Sequence, residues 1–254
     1  AINIALRTGG IVPGDEVITV SHTAVATVAA IELSGATPVL VDIDPERYTM
    51  DPDALLNAIN EKTRAVVVVH LYGHPADMIR IKEICDEKDL LLIEDCAQAH
   101  GATINGRKSG TFGDFGTFSF YPTKNLGAFG DGGALVTGNA EVAEIARGIR
   151  QYGWIERNNS TLCGLNSRLD ELQAAILRIK LNSLDAGNLR RRKIAQIYDQ
   201  ELESAPLQTP KVFGDCEHAY HQYVVQTDQR DELRQYLIKH GIDTIIHYPT
   251  PVHL

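Results

Sequence analysis

Continuous apolar runs alternate with stretches of helical period along the first half of the chain. The runs EVITV (Glu16–Val20), TPVLVDI, RAVVVVH and DLLLIED are short, rich in valine, isoleucine and leucine, and bounded by turn residues, so each reads as a strand. Between them lie TAVATVAAIELSG, ending at Gly35; DPDALLNAIN, with Asp51 placed to cap it; and Pro75 to Lys88; each reads as a helix. Residues 1–10, AINIALRTGG, read as the tail of a helix stopped by Gly9 and Gly10, which implies further sequence ahead of Ala1. Strands apolar on both faces, alternating with helices, predict a parallel sheet covered on both sides.

The pattern then changes. Gly116–Phe120 and Ala134–Thr137 predict two more short strands, and Ala140–Arg150 a helix. NSRLDELQAAILRIKLNSLD predicts a helix with Ser167 as N-cap and a buried stripe of Leu169, Leu172, Ile176 and Ile179. An arginine-rich helix is expected from Asn188 to about Leu202. Beyond it a strand (Tyr220–Thr227), a helix (Asp231–His240) and a strand (Ile242–His247) form the beginning of a small α+β domain. The expected division is a large domain over residues 1–186 and, over 187–254, a linking helix with an incomplete second domain. No internal repeat or low-complexity segment interrupts this order.

Composition narrows the function classes. With 254 residues, 44% of them hydrophobic, the chain can bury a substantial core. A net charge of −9 argues against general affinity for nucleic acid or acidic membranes. No run of about eighteen apolar residues is present to span a bilayer. The four cysteines (Cys85, Cys96, Cys163, Cys216) have neither disulfide-framework nor zinc spacing, which fits a reducing, cytoplasmic setting.

In open α/β sheets ligands bind beyond the carboxyl ends of the strands. Three exits are informative: VSHTAVAT, VVHLYGHPAD and IEDCAQAHGA. The last delivers Glu94 and Asp95 at the end of an apolar strand. Asp95 there either caps the segment that follows or meets a cationic ligand nitrogen. Further along, SFYPTKNLGAFGDGG carries a solitary Lys124 between an apolar run and a glycine-rich loop. Alone, Lys124 reads as a solvated loop lysine. Together, a strand-end carboxylate, a lysine on a neighbouring loop, the hydroxyl of Ser119 and several glycines are the parts of a pyridoxal phosphate site. The lysine forms an imine with the cofactor aldehyde, and the carboxylate keeps the pyridine nitrogen protonated. Serine hydroxyl and backbone N–H groups take the phosphate.

The runs EDCAQAHGA, GTFSFYPTKNLGAFGDGG and GLNSRLDELQAAILRIKL, with SHTAVATVAAIELSGATPVLVDID and HYPTPVHL, resemble the DegT–DnrJ–StrS family of sugar aminotransferases. The resemblance covers essentially the whole chain. It implies a fold type I pyridoxal-phosphate transferase, α/β, with a mostly parallel sheet of the seven-stranded type sandwiched by helices and a small α+β carboxy-terminal domain. It also implies homodimers with shared active sites. By motif, Lys124 is the Schiff-base lysine, Asp95 the partner of the pyridine nitrogen, and Gln98 a hydrogen-bond partner near the ring's phenolic oxygen. Ala97 packs against the ring, Ser119 binds phosphate, and Asn166 reaches the phosphate across the dimer interface. His247 and Tyr248 fall where that family binds substrate. Dehydratase relatives carry histidine at the lysine position, so Lys124 implies transamination. The substrates so implied are a nucleotide-linked keto-sugar and an amino-acid donor, L-glutamate; a cyclitol aminotransferase and a non-catalytic, cofactor-binding or regulatory relative are the alternatives.

Three departures from the family pattern bear on this. Ala24 in SHTAVAT stands where many members have an aromatic residue that stacks on the cofactor, leaving His22 or another side chain to cover that face. The upstream phosphate-binding turn and the end of the small domain lie outside these residues. Other constellations lead nowhere specific: His218-x-x-His221 lacks matching carboxylates or cysteines for a metal, His70 and His74 are expected to shape the pocket, and no G-x-G-x-x-G, P-loop or G-x-S-x-G occurs. The short basic run Arg190-Arg191-Arg192 reads as a solvated helix face.

Overall fold

The computed structural model describes residues 1–254. Six strands form one sheet: β1 (Glu16–Val20), β2 (Thr37–Val41), β3 (Thr63–Val69), β4 (Leu91–Asp95), β5 (Phe115–Ser119) and β6 (Gly133–Val136). Their spatial order is β2-β1-β3-β4-β5-β6. The first five are parallel, and β6 closes one edge antiparallel to β5. The mixed α/β architecture with a mainly parallel sheet is the one expected, with six strands of that sheet within these residues.

Five helices accompany the sheet: α1 (Ile2–Thr8), α2 (Val25–Glu32), α3 (Pro52–Ala58), α4 (Met78–Glu87) and α5 (Ala140–Arg150). Alternate strand residues supply two cores, because successive side chains point to opposite faces. Val66, Val68 and Leu92 pack with Leu55, Met78, Ile81 and Ile84 of α3 and α4. Ala65, Val67, Ile93 and Phe115 pack with Leu6 and Ile31 of α1 and α2. Each fully buried large side chain contributes about 1.5–3 kcal/mol relative to exposure, which makes these two layers the main stabilising feature. Side-chain caps set the helix starts: Asp51 accepts from the Asp53 N–H, Asp77 from Arg80, and Asn139 from Glu141 and Val142. No helix is long and apolar enough to cross a membrane.

The second half corrects several expectations. Helix α6 (Glu171–Leu181) has Asp170 rather than Ser167 at its N-cap. Its buried residue is Leu177, which packs with Leu126 and Ala128, with Leu169 partly buried beside them. Leu172 and Ile179, expected inside, are each 73% exposed. The 126–128 loop, against which Leu177 packs, decides which side of the helix is covered. Helix α7 (Leu184–Glu201) begins earlier than expected, directly after α6, and α8 (Arg230–Lys239) matches its expected place. The strands expected at Tyr220–Thr227 and Ile242–His247 do not form. A strand needs a neighbouring ladder, and here the extended chain finds single partners instead: Ala219 N–H on the Gly73 carbonyl, Gln222 N–H on Tyr72, and one isolated bridge between Gln208 and Gln226.

Candidate active site

Because β1, β3, β4 and β5 are adjacent and parallel, their carboxyl ends present four exits in one row. These carry Ser21–Thr23, His70–His74, Cys96–Gln98 and Phe120–Lys124. The register fixes the row, with Val69 opposite Asp95 and Asp95 opposite Thr117.

At the end of β4, Glu94 shares the face of Leu92 and Asp95 the face of Ile93. Glu94 is fully buried and accepts four hydrogen bonds: from the N–H groups of Gly110 (2.7 Å), Phe112 (2.6 Å) and Gly113 (2.8 Å), and from His70 Nε2 (3.0 Å). His70 Nδ1 accepts the Ala76 N–H at 3.0 Å, so its ring proton must sit on Nε2. Burial alone would raise the Glu94 pKa; the hydrogen bonds from His70, Gly113 and Gly110 more than offset it and hold the group below its ordinary value. His70, Glu94 and Cys96 do cluster within 4.8 Å. Yet both His70 nitrogens and both Glu94 oxygens are already committed, and burial pushes the Cys96 thiol well up, so the cluster is a hydrogen-bonded anchor and not a metal cage.

Asp95 is 7% exposed and differently furnished. Its Oδ2 accepts from the Thr27 hydroxyl at 2.9 Å, and Thr27 is itself paired with Thr23 at 2.9 Å. Its Oδ1 accepts the Ala97 N–H at 3.1 Å. Each oxygen thus keeps acceptor capacity. Of the two readings of Asp95, local cap and site carboxylate, the bond to the Ala97 N–H is the local one, and the spare acceptor capacity is what a ligand nitrogen would need.

Lys124 lies within the electrostatic reach of Asp95. Burial lowers its pKa, and the negative charge of Asp95 partly restores it. The half-buried amine also lies near three imidazoles. Burial and then its charge push His100 down to about 4 and His221 to about 3, and lower His247 as well, so all three rings are neutral at pH 7. The loop is fastened on both sides of the lysine. Lys124 N–H bonds the Tyr121 carbonyl, and Asn125 Nδ2 donates to Asn188 Oδ1 and the Ala219 carbonyl, each at 2.9 Å. A Cβ at Gly127 would lie 2.5 Å from the Pro122 carbonyl oxygen, so only glycine lets this loop fold back. Ser119, half-buried at the end of β5, accepts the Tyr121 N–H.

Gln98 completes the middle of the row. Its Oε1 accepts the Tyr72 N–H at 2.6 Å, and its Nε2 donates to the Tyr248 hydroxyl at 3.2 Å. His22 bonds the Tyr72 hydroxyl at 2.8 Å and stands edge-on to Tyr72 and Tyr248. Beside Ala24, the N-cap of α2, this His22–Tyr72–Tyr248 group is the aromatic material near the exit. His247 lies in the same group, its carbonyl taking the Tyr72 hydroxyl.

Eight of the expected residues therefore share one strand-end region: His22, Asp95, Ala97, Gln98, Ser119, Lys124, His247 and Tyr248. Asn166 makes its contacts elsewhere, bridged to Gln151 and accepting from Arg168 on an exposed stretch. Sequence reasoning missed Thr27, Tyr72, Asn125 and His221. Thr27 could have been found from its i, i+4 spacing to Thr23 just after the first exit, and Asn125 from standing next to the lysine; His221 stood out only through its spacing to His218, which suggested nothing but a metal, and nothing local singles out Tyr72.

An amine of lowered basicity, a nearby carboxylate with spare acceptor capacity and neutral imidazoles can together add to a carbonyl and pass protons. Known proteins of the same build are informative here. A dTDP-3-amino-3,4,6-trideoxy-α-D-glucose transaminase of Streptomyces venezuelae is 49% identical over all of this chain and 67% of its own length. A pleiotropic regulatory protein of Geobacillus stearothermophilus is 47% identical over all of this chain and 69% of its own length. The crystal structure of S. venezuelae DesV in complex with a ketimine intermediate superposes with a TM-score of 0.97, at 49% identity, covering all of this chain and 68% of that one. The sequence pattern of one family matches residues 1–254 from end to end, and the chain belongs to the DegT/DnrJ/EryC1/StrS aminotransferase family.

Proposed function

We propose that this protein transfers an amino group from an amino-acid donor, L-glutamate, to a keto-sugar carried on a nucleoside diphosphate, with pyridoxal 5′-phosphate as cofactor. The observation that carries the reading is Lys124: a half-buried amine, lowered in basicity by burial, in the field of a carboxylate on the neighbouring strand. The donor set suits the cofactor. Lys124 offers a nucleophile for its aldehyde, Asp95 an acceptor for its ring nitrogen, Gln98 a side-chain amide for its phenolic oxygen, and Ala97 a small surface for its ring. Ser119 would take phosphate oxygens. His22 would cover the face that Ala24 leaves open. When bound, the cofactor supplies an aldehyde to carry the amino group and an electron-withdrawing ring.

The chain's own residues do the rest. Lowered basicity raises the unprotonated share of Lys124, so Nζ can bond a carbonyl carbon with loss of water and, once the donor's amine has displaced it, the freed Nζ can take and return the proton at the substrate carbon. Asp95, oriented by Thr27 and the Ala97 N–H, places negative charge against a cationic nitrogen. His247 and Tyr248 would face the sugar. Asn166, away from Lys124, would reach the phosphate of a partner's site in a homodimer, and residues 187–254 would form the linking helix and a small α+β unit.

Supplying 15N-labelled glutamate, pyridoxal phosphate and a panel of keto-substrates tests the reading. Label is expected to enter a dTDP- or UDP-linked keto-sugar. Label entering only a free keto-cyclitol would move the assignment to the cyclitol class, and cofactor binding without transfer to any acceptor would favour a regulatory relative. Lys124→Ala is expected to lower transfer by roughly 10⁴-fold or more while leaving the fold intact.

A further inference from the structure

Tyr72 has every polar atom bound to a different segment of the chain. Its N–H donates to Gln98 Oε1 (2.6 Å), after β4. Its carbonyl accepts the Gln222 N–H (3.2 Å), from the stretch after α7. Its hydroxyl meets His22 Nε2 (2.8 Å), after β1, and the His247 carbonyl (2.6 Å), near the end of the chain. The residue is only 4% exposed and sits at φ 60°, in the left-handed region that non-glycine residues rarely enter. Such a conformation costs about 1 kcal/mol or more and persists where surrounding contacts over-determine it. Gly73 is clamped in the same way: a Cβ there would lie 2.9 Å from the Gln98 carbonyl oxygen.

Counting protons makes the arrangement directional. The His247 carbonyl can only accept, so the single Tyr72 hydroxyl proton goes to it. His22 must then donate from Nε2, which leaves Nδ1 as a bare acceptor. Likewise, the Tyr72 N–H holds Gln98 Oε1, so the Gln98 amide turns its Nε2 to Tyr248. The Tyr248 hydroxyl accepts that bond and keeps its own proton for another partner. Gln222 Nε2, on a residue also held by Tyr72, donates to His247 Nδ1 at 2.8 Å.

We propose that Tyr72 is a positioning residue for amino transfer: it fixes the His22 tautomer, orients Gln98 between cofactor and Tyr248, and holds His247 and Tyr248 against the strand ends for the sugar. This inference rests on the functional reading above. Tyr72→Phe removes only the hydroxyl and keeps both backbone bonds. Two readouts decide it. In histidine-labelled protein without added cofactor, with the His22 signal identified by its loss in His22→Gln, NMR is expected to show the Nε2–H tautomer in the wild type and its loss or mixing in Tyr72→Phe. In the loaded enzyme, KM for the keto-sugar is expected to rise about tenfold, equivalent to about 1.4 kcal/mol, while the glutamate half-reaction stays within about twofold. A wild-type His22 protonated on Nδ1, a tautomer unchanged in Tyr72→Phe, or equal losses in both half-reactions would overturn the proposal. The tautomer readout needs neither cofactor nor turnover, so the two failures are distinguishable: a wild type that transfers no amino group would sink the functional reading and with it the catalytic part of this proposal, whereas an Nδ1–H His22 in an active wild type would sink this one alone.

Discussion

Glu94 and Asp95 leave the same strand one residue apart, yet the regions they face use a carboxylate in opposite ways. On the Glu94 side, three backbone amides and one imidazole fill the acceptor positions, and the group binds the 110–113 loop to β3 and β4. On the Asp95 side, one threonine and one amide leave acceptor capacity open, and a half-buried amine lies within reach of its charge. A saturated buried carboxylate has nothing left to offer a ligand and acts as a fastener. An under-committed one, held in place with a cation nearby, is where binding energy or chemistry can be applied.

Removing each carboxylate should separate the two roles. Glu94→Ala leaves three amides and His70 without their acceptor, and is expected to cost about 3–5 kcal/mol of stability, read by denaturant unfolding. Asp95→Asn is expected to leave the unfolding midpoint nearly unchanged and lower amino transfer roughly 10²–10³-fold. Because the Asp95 charge raises the Lys124 pKa, the same variant should move the lysine's titration to lower pH, readable from the pH dependence of its reaction with an aldehyde probe. If both variants merely unfold, or neither does and both keep activity, the contrast is void.

The imidazoles extend the comparison. His70 has both nitrogens bonded, whereas His74 and His100 are buried with neither nitrogen hydrogen-bonded. Burial pushes His74 and His100 to about 4, His221 to about 3, and His218 well down. These folded-state values lie below the unfolded value near 6.5, so as pH falls the unfolded chain takes protons that the folded one refuses. Stability is therefore expected to be complete above pH 6.5 and to decline between pH 6.5 and 4. The slope would be up to about 1.4 kcal/mol per pH unit for each such histidine, checked by thermal melts across that range. A melting temperature flat from pH 7 to pH 5 would contradict the burial of these rings.

The smallest effect is expected at the edge of the site. Thr27→Val removes one hydroxyl bond to Asp95 and keeps the shape; cofactor affinity should fall by about 1.5–3 kcal/mol at most, with kcat less affected. A loss as large as that of Asp95→Asn would mean that Thr27 does more than orient the carboxylate.

The legible parts of this molecule were those with a local cause. Val66–Val69 and Leu92–Ile93 are apolar on both faces because both faces are covered, so their runs could be read directly as central parallel strands. Asp51 caps its helix through the N–H two residues away. Asp95 and Lys124 could be picked out because a carboxylate and an amine at apolar strand exits are chemically out of place. The Tyr220–Thr227 and Ile242–His247 segments misled because alternating apolar residues state a preference for extended chain, while a strand also requires a partner at ladder spacing. Leu172 and Ile179 misled because period alone does not say which side of a helix has a neighbour.

Sheet class, the Asp51 cap and the candidate amine and carboxylate were thus written in short stretches of residues, since each depends on interactions within a few positions or on a run's own polarity. The fastening of Glu94 and the joining of four distant segments at Tyr72 were settled only by folding. Hydrogen bonds between residues tens to more than a hundred positions apart leave no periodicity in the chain, and they exist only once β1, β3, β4 and β5 bring their ends side by side.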